Sequence, residues 1–279
     1  MGHEDVVLVA TDRSACSLTA ADAAVQMAGG LDASIRGVYV VDVNLVMEPY
    51  VSLRAELGDQ SGLVARDDWI HRFEAFGDAT LADLKASSEA YGRSFSGQVL
   101  FGGVTESVLD AASEPGVRML AVGRRGRSTE GGGLGGHFGA IAHHVEAPLL
   151  VGGKAESDHR RILVVHDGSE HAAQICQLVG SLAADASVEV GLLWQGDPDG
   201  QAREDWYEVA RSDLGAAGDR ASVLEVEGEG GKAILAAADQ MTADLLVMSH
   251  FRHQQWVQWL VGSPVEYVLS HDERLVLLA

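Results

Sequence analysis

Strands that alternate with helices, a strand–aspartate unit that recurs downstream, and a glycine- and arginine-rich loop joining a strand to a helix together predict an α/β chain. Short apolar runs separated by stretches of helical periodicity imply parallel sheet covered by helices on both faces. Recurrence of the whole pattern implies a tandem duplication, so the 279 residues divide into two domains.

Taken in order, Val6–Ala10 is an apolar run that ends in Thr11-Asp12-Arg13-Ser14. Leu18, Ala21, Val25 and Ala28 then trace one helical face that closes at Gly29-Gly30, a common C-terminal stop. A second strand, Ile35–Val41, ends at Asp42; Asn44–Ala65, with Pro49 and Gly58, reads as an inserted loop, either a lid over a ligand or a surface insertion. Trp69–Tyr91 resumes helical periodicity, Val99–Phe101 is a third strand, Thr105–Ala112 a third helix and Met119–Val122 a fourth strand. After the glycine loop, Phe138, Ile141, Ala142 and Val145 mark a helix beginning at His137, and Pro148–Val151 makes the fifth strand.

The polar stretch Gly152–Ser157 reads as the boundary, giving domains 1–153 and 159–279. Beyond it, Arg161–Ser169 repeats the first strand and its terminal aspartate, Asp167, and Ala172, Ile175, Val179 and Leu182 repeat the first helical face. Val188–Trp194, Ser222–Val226, Leu245–Met248 and Leu275–Leu278 supply the remaining strands. Asp12 and Asp167 are 155 residues apart, Gly136 and Gly262 only 126, and the 29-residue difference falls where the first copy carries its long insertion.

The loop of copy one contains Gly123-Arg124-Arg125-Gly126, nine residues, then Gly136-His137. Glycines adopt positive φ and let backbone N–H groups approach a ligand closely. A helix N-terminus adds unpaired donors and partial positive charge, and Arg124, Arg125 and Arg127 add cations. The chemistry suits a polyphosphate; the composition also suits a flexible connection. Gly131-x-Gly133-x-x-Gly136 matches the dinucleotide fingerprint only by glycine density, eight residues beyond the strand end. Gly228–Lys232 is not a phosphate-binding Walker loop, because Val226 stands where its first glycine belongs.

Composition narrows the function. The net charge is −21 and the only lysines are Lys85, Lys154 and Lys232, which argues against a nucleic-acid partner. An acidic, lysine-poor chain is that of a protein kept soluble in high salt, or of GC-rich coding. It leaves room for a nucleotide, since salt screens charge beyond roughly 10 Å and the loop arginines act locally. No apolar run has membrane-spanning length and the first residues are acidic, so no membrane contact or signal peptide is expected. Cys16 and Cys176, far apart and without metal-ligand spacing, read as buried thiols in a reducing cytoplasm.

With the glycine spacing, the paired aspartates and Pro148 before the fifth strand, the chain resembles the universal stress protein family in its tandem two-domain form, with His137 where the family has serine or threonine. The resemblance implies two Rossmann-like domains of the adenine nucleotide alpha hydrolase-like type, each with a five-stranded parallel sheet. It also implies a ligand between the first and fourth strands, and an internal pseudo-dimer formed through the last strands, with a homodimer of the whole chain as a further assembly. In the ATP-binding branch, positions matching Asp12 and Val40 hold base and ribose, and those matching Gly123, Arg124, Gly126, Gly136, His137 and Phe138 hold the phosphates of ATP, AMP or ADP, with Mg²⁺ accompanying the nucleotide. His137 is either a phosphate ligand or a group large enough to block the pocket.

Copy two departs from this pattern. Ser249 and Arg252 replace the earlier glycines, and Gln254, Gln255, Trp256 and Trp259 occupy the loop, where they would fill the space a phosphate needs. Ser263-Pro264 reads as a self-capped helix start. Copy two is therefore expected to be a structural partner. His143-His144, His250-x-x-His253, His166 and His171 lack the spacing of a metal site. No nucleophile elbow or opposed carboxylate pair is present, so no catalytic residue is assigned. A nucleotide-dependent stress regulator, a nucleotide-free interaction protein and a weak ATPase acting through Asp12 or His137 are the functions the sequence admits.

Overall fold

The computed structural model describes residues 4–43, 62–126, 134–155, 158–166, 171–195, 200–249 and 263–279. The first half runs β1 (Val6–Ala10), α1 (Ala15–Met27), β2 (Ser34–Asp42), α2 (Gly62–Ala90), β3 (Phe95–Gly102), α3 (Val104–Ala112), β4 (Val117–Gly123), α4 (Gly136–His144) and β5 (Leu149–Gly152). The second half runs β6 (Arg161–His166), α5 (His171–Leu182), β7 (Glu189–Trp194), α6 (Gly200–Asp213), β8 (Ser222–Leu224), α7 (Gly230–Gln240), β9 (Leu245–Met248), α8 (Pro264–His271) and β10 (Leu275–Leu278).

The strands form one ten-stranded sheet in the order β3-β2-β1-β4-β5-β10-β9-β6-β7-β8. Every pairing within a half is parallel. The halves meet where β5 and β10 pair antiparallel, with Leu150 opposite Leu277. Both joining strands are buried along their whole length. Such bare apolar strands would each be an adhesive edge if left unpaired, and here each covers the other.

Strand alternation divides the core between the two faces of the sheet. Val7, Val9, Met119, Leu150, Ile162, Val164 and Leu277 lie in one cluster with α1, α5 and α6. Leu8, Leu120, Val151, Leu163, Val165 and Val276 lie in the other with α3, α4, α7 and α8. Each cluster contains residues of both halves, so the core is continuous across the β5–β10 seam. The free thiols Cys16 and Cys176 are both buried, and burial pushes the Cys176 thiol up to about 12.

Three sequence expectations are corrected. Positions 44–61 of the supposed insertion lie outside the described residues, but Gly62–Ala65 belongs to α2, which starts before Trp69. The third strand begins at Phe95, not Val99, because on an edge strand Ser96, Gly97 and Gln98 face solvent and mask the apolar period. Gly29 and Gly30 do not end α1 through a left-handed turn, since neither has positive φ. Instead, a methyl group at Gly30 would lie 2.7 Å from the Ser181 carbonyl of α5, so glycine here allows contact between the halves.

Gly152, the last residue of β5, lies against the first turns of α1, where a methyl group would overlap the Cys16 carbonyl and come within 2.7 Å of the Ala20 nitrogen. Gly152→Ala should reduce the unfolding free energy by about 2 kcal/mol, measured by urea denaturation. Asp244, at the start of β9, accepts a hydrogen bond from the Arg161 backbone at 3.2 Å. Burial first, and then the neighbouring Asp158 carboxyl, push the Asp244 carboxyl up to about 6. A folded-state value above the ordinary one means the contribution to stability is full below the ordinary carboxylate range and is lost as pH rises towards about 6. Asp244→Asn should therefore raise the thermal midpoint by roughly 2–4 °C at pH 7.5, with the gain disappearing at about pH 4 in calorimetry.

Candidate functional site

In the first half β1 lies between β2 and β4, so the chain turns to opposite sides on leaving β1 and β4 and opens a crevice at their carboxyl ends. A cavity of about 590 Å³ occupies it, walled by the ends of β1, β2 and β4, by α3 and by the start of α4. Its lining combines apolar side chains, among them Val40, Val104, Val108 and Ile141, with the polar and glycine backbone of the two loops.

The first loop follows β1. Ser14 caps α1 by accepting from the Ser17 N–H at 3.2 Å, and its hydroxyl donates to the Arg125 carbonyl at 3.0 Å, tying this loop to the second. Asp12 accepts from the Ser14 N–H at 2.9 Å, which orients its carboxylate while leaving it part of the cavity wall. Between them Arg13 has φ of 61°, an uncommon state for a long side chain. Its guanidinium pairs with Asp83 of α2 at 2.7 Å and sits 5.9 Å from the Phe76 ring centre, so tertiary contacts accompany the strain.

The second loop follows β4, and its glycines serve different purposes. A methyl group at Gly123 would lie 2.7 Å from the Ser17 nitrogen of α1, and one at Gly126 would lie 3.0 Å from the Asp12 carboxylate. At Gly136 it would meet nothing within 4 Å among the described residues. Close approach of the α1 backbone requires glycine at position 123, Gly126 lies tight against the Asp12 carboxylate, and Gly136 borders open space among the described residues. The chain returns through the Gly135 N–H, which donates to the Arg124 carbonyl at 2.8 Å, and α4 starts with Gly135 as N-cap and no side-chain cap. In contrast, Ser263 caps α8 by accepting from the Glu266 N–H at 3.0 Å, with Pro264 in the first turn. The start of α4 has no side-chain cap, the Phe138 N–H donates to the Gly135 carbonyl at 3.1 Å, and Gly136 and His137 border the cavity, as a helix N-terminus that attracts anions would.

Of the sequence-predicted residues, Asp12, Val40, Gly123, Gly126, Gly136, His137 and Phe138 all line this cavity. Phe138 is buried with its ring in the core, and His137 is exposed, its Nδ1 3.1 Å from the Thr105 hydroxyl of α3. The imidazole thus stands at the wall, against the neighbouring helix.

Arg124 is the exception and corrects the expectation of a mobile phosphate cation. Its side chain is fully buried and does not line the cavity. Nε donates to the Gly152 carbonyl at 3.3 Å, Nη1 to the carbonyls of Leu269 (3.0 Å) and Asp272, and Nη2 to that of Arg274. Both arginines reach the 272–274 turn of the second half, Arg124 through backbone carbonyls and Arg125 through the Glu273 carboxylate, but only Arg125 also borders the cavity. Burial lowers the Arg124 pKa, opposed by the nearby Glu273 charge. Arg125 bonds Glu273 through Nη2. Burial alone would raise the Glu273 carboxyl, but that hydrogen bond and the charges of Arg125 and Arg124 hold it below its ordinary value. Arg127 and Gly131–Gly133 lie outside the described residues. Nothing in the sequence marked Glu273 or Thr105, because each reaches the site only through the fold.

The counterpart positions in the second half differ. Gln195, equivalent to Val40 by the 155-residue offset, turns its side chain to accept from the Gly230 N–H at 2.8 Å. His166 is buried beside the rings of Trp194 and Trp206, with centroid separations of 6.0 and 4.3 Å. Asp167, Gly262 and the Gln254–Trp259 segment lie outside the described residues. Among the described residues no cluster of His, Cys, Asp or Glu is arranged to hold a metal, and no helix is long and apolar enough to cross a membrane.

Two parallel α/β halves sharing a sheet, the first with an open crevice at its strand switch, define a tandem Rossmann-like fold. The sequence profile of the Universal stress protein family matches residues 5–151 and 159–278, and the chain belongs to that family. Similar in structure is a universal stress protein from Archaeoglobus fulgidus DSM 4304, with TM-score 0.72 and 18% identity, covering 98% of this chain and 97% of that one. A functionally unknown protein from Pseudomonas aeruginosa PAO1 is also similar, with TM-score 0.60 and 16% identity over 99% and 92% of the two chains. At these identities the likeness is one of fold. No curated protein is significantly similar in sequence.

Because the Arg124 guanidinium donates across the seam to the carbonyls of Leu269, Asp272 and Arg274, Arg124→Met should remove those bonds, whereas the Gly152 carbonyl keeps the Arg124 backbone N–H at 3.1 Å. The expected loss is roughly 3 kcal/mol of unfolding free energy, read by chemical denaturation.

Proposed function

We propose that the first-half cavity binds an adenine nucleotide, ATP with Mg²⁺ or else ADP or AMP, and that the chain acts as a nucleotide-dependent regulator in a stress response. The second half serves as the structural partner that completes the sheet. The observation carrying this reading is the open space at Gly136 among the described residues, beside a helix start with no side-chain cap and across from the Asp12 carboxylate. Asp12 and the β2 end at Val40 would receive ribose and base, with the carboxylate accepting from a ribose hydroxyl. The backbone of Gly126 and Gly136–Phe138 would receive the phosphates. Arg124 has no part in it. His137, exposed beside Thr105, would meet the phosphates from the wall.

Calorimetric titration of the full chain with ATP and Mg²⁺ tests the proposal. One nucleotide per chain is expected; two per chain would mean that the second half binds as well, and none would leave the nucleotide-free interaction protein. Asp12→Ala should weaken binding about tenfold or more, and Gly136→Val, whose Cβ meets none of the described residues, should weaken it while leaving the thermal midpoint of the free protein nearly unchanged.

A further inference from the structure

Arg125 stands at two boundaries at once. It lines the first-half cavity together with Asp12, Gly126 and Gly136, and through Nη2 it bonds the Glu273 carboxylate in the turn between α8 and β10. Its side chain is 15% exposed and also lies against the Cys16 thiol, and its Nε is buried with no hydrogen-bond partner among the described residues. The neighbouring Arg124 holds the same turn through carbonyls, which no anion would displace. A carboxylate is different, because it presents to guanidinium the same oxygen pair that a phosphate does.

We propose that Arg125 is a latch exchanged between Glu273 of the second half and a phosphate in the first-half cavity, so that nucleotide binding loosens the joint between the halves. This rests on reading the cavity as a nucleotide site. Held by Glu273, the guanidinium leaves Nε–H unsatisfied among the described residues; turned to a phosphate, it can use Nε–H and Nη–H as parallel donors. Glu273 then keeps only the Lys154 N–H, 3.2 Å from its other oxygen. Its own carbonyl accepts from the Ala155 N–H at 3.0 Å, so the same residue braces the linker leaving β5. Release of Arg125 therefore acts on both strands of the seam. Linkage makes the effect reciprocal: whatever weakens the Arg125–Glu273 bond must strengthen anion binding.

The test uses the full chain, with ATP and inorganic tripolyphosphate as separate probes in calorimetry. Glu273→Gln retains shape and the Lys154 contact but removes the competing charge, and it should tighten ATP binding by about threefold or more. Adding Arg125→Ala should abolish that gain. In the wild-type chain, ATP should raise deuterium uptake at residues 152–155, a readout that needs no variant. Equal or weaker ATP binding by Glu273→Gln, a gain that survives Arg125→Ala, or unchanged uptake would each overturn the latch while leaving the nucleotide site standing. Failure of every protein to bind either probe would overturn both.

Discussion

The antiparallel pairing of β5 with β10 is the constraint on which the rest of this molecule depends. Each half ends in a short strand of uninterrupted apolar residues, which would be an exposed edge if the half stood alone. Paired, the two strands become the centre of a continuous sheet, and the clusters on both faces run through the seam. The buried Arg124 guanidinium secures this arrangement, because carbonyls from β5, from α8 and from the turn before β10 all accept from it. A buried charge is tolerated here through saturation with carbonyl acceptors and the nearby Glu273 carboxylate.

That joint also determines how the crevice is built. Arg124 and Arg125 both bond the 272–274 turn of the second half, and Arg125 alone also borders the cavity. Gly123 lets the end of β4 press against the first turn of α1, and Gly126 lets the second loop touch the Asp12 carboxylate. With both loops drawn together, the only glycine of the spacing motif that faces open space is Gly136, at the uncapped start of α4. Packing thus sets Gly123, Gly126 lies tight against a side chain, and Gly136 borders open space among the described residues.

The same scaffold has a different interior in each copy. Asp12 and Val40 border a cavity in the first half, whereas Gln195 at the equivalent of Val40 caps a backbone amide at the start of α7. Ser263 caps α8 as its sequence suggested, while α4 has no such residue. Duplication preserved the layers and strand order, and local chemistry at the strand ends diverged between the copies.

Much of this was legible from residue order alone. Apolar runs and helical periodicity located most of the elements, the 155-residue offset exposed the duplication, and the glycine spacing picked out a loop that lies on the cavity. These features are local, written in neighbouring residues and their repeat. The exposed face of β3 hid four of its residues from the apolar pattern, and Gly30 looked like a helix stop because its true neighbour, Ser181, is distant in the chain. Only the tertiary structure decided that Arg124 belongs to the seam and Arg125 to both seam and cavity, and that Glu273 and Thr105 stand beside the site. Side-chain direction and long-range partnership arise when strands pair, and composition and spacing carry no record of them.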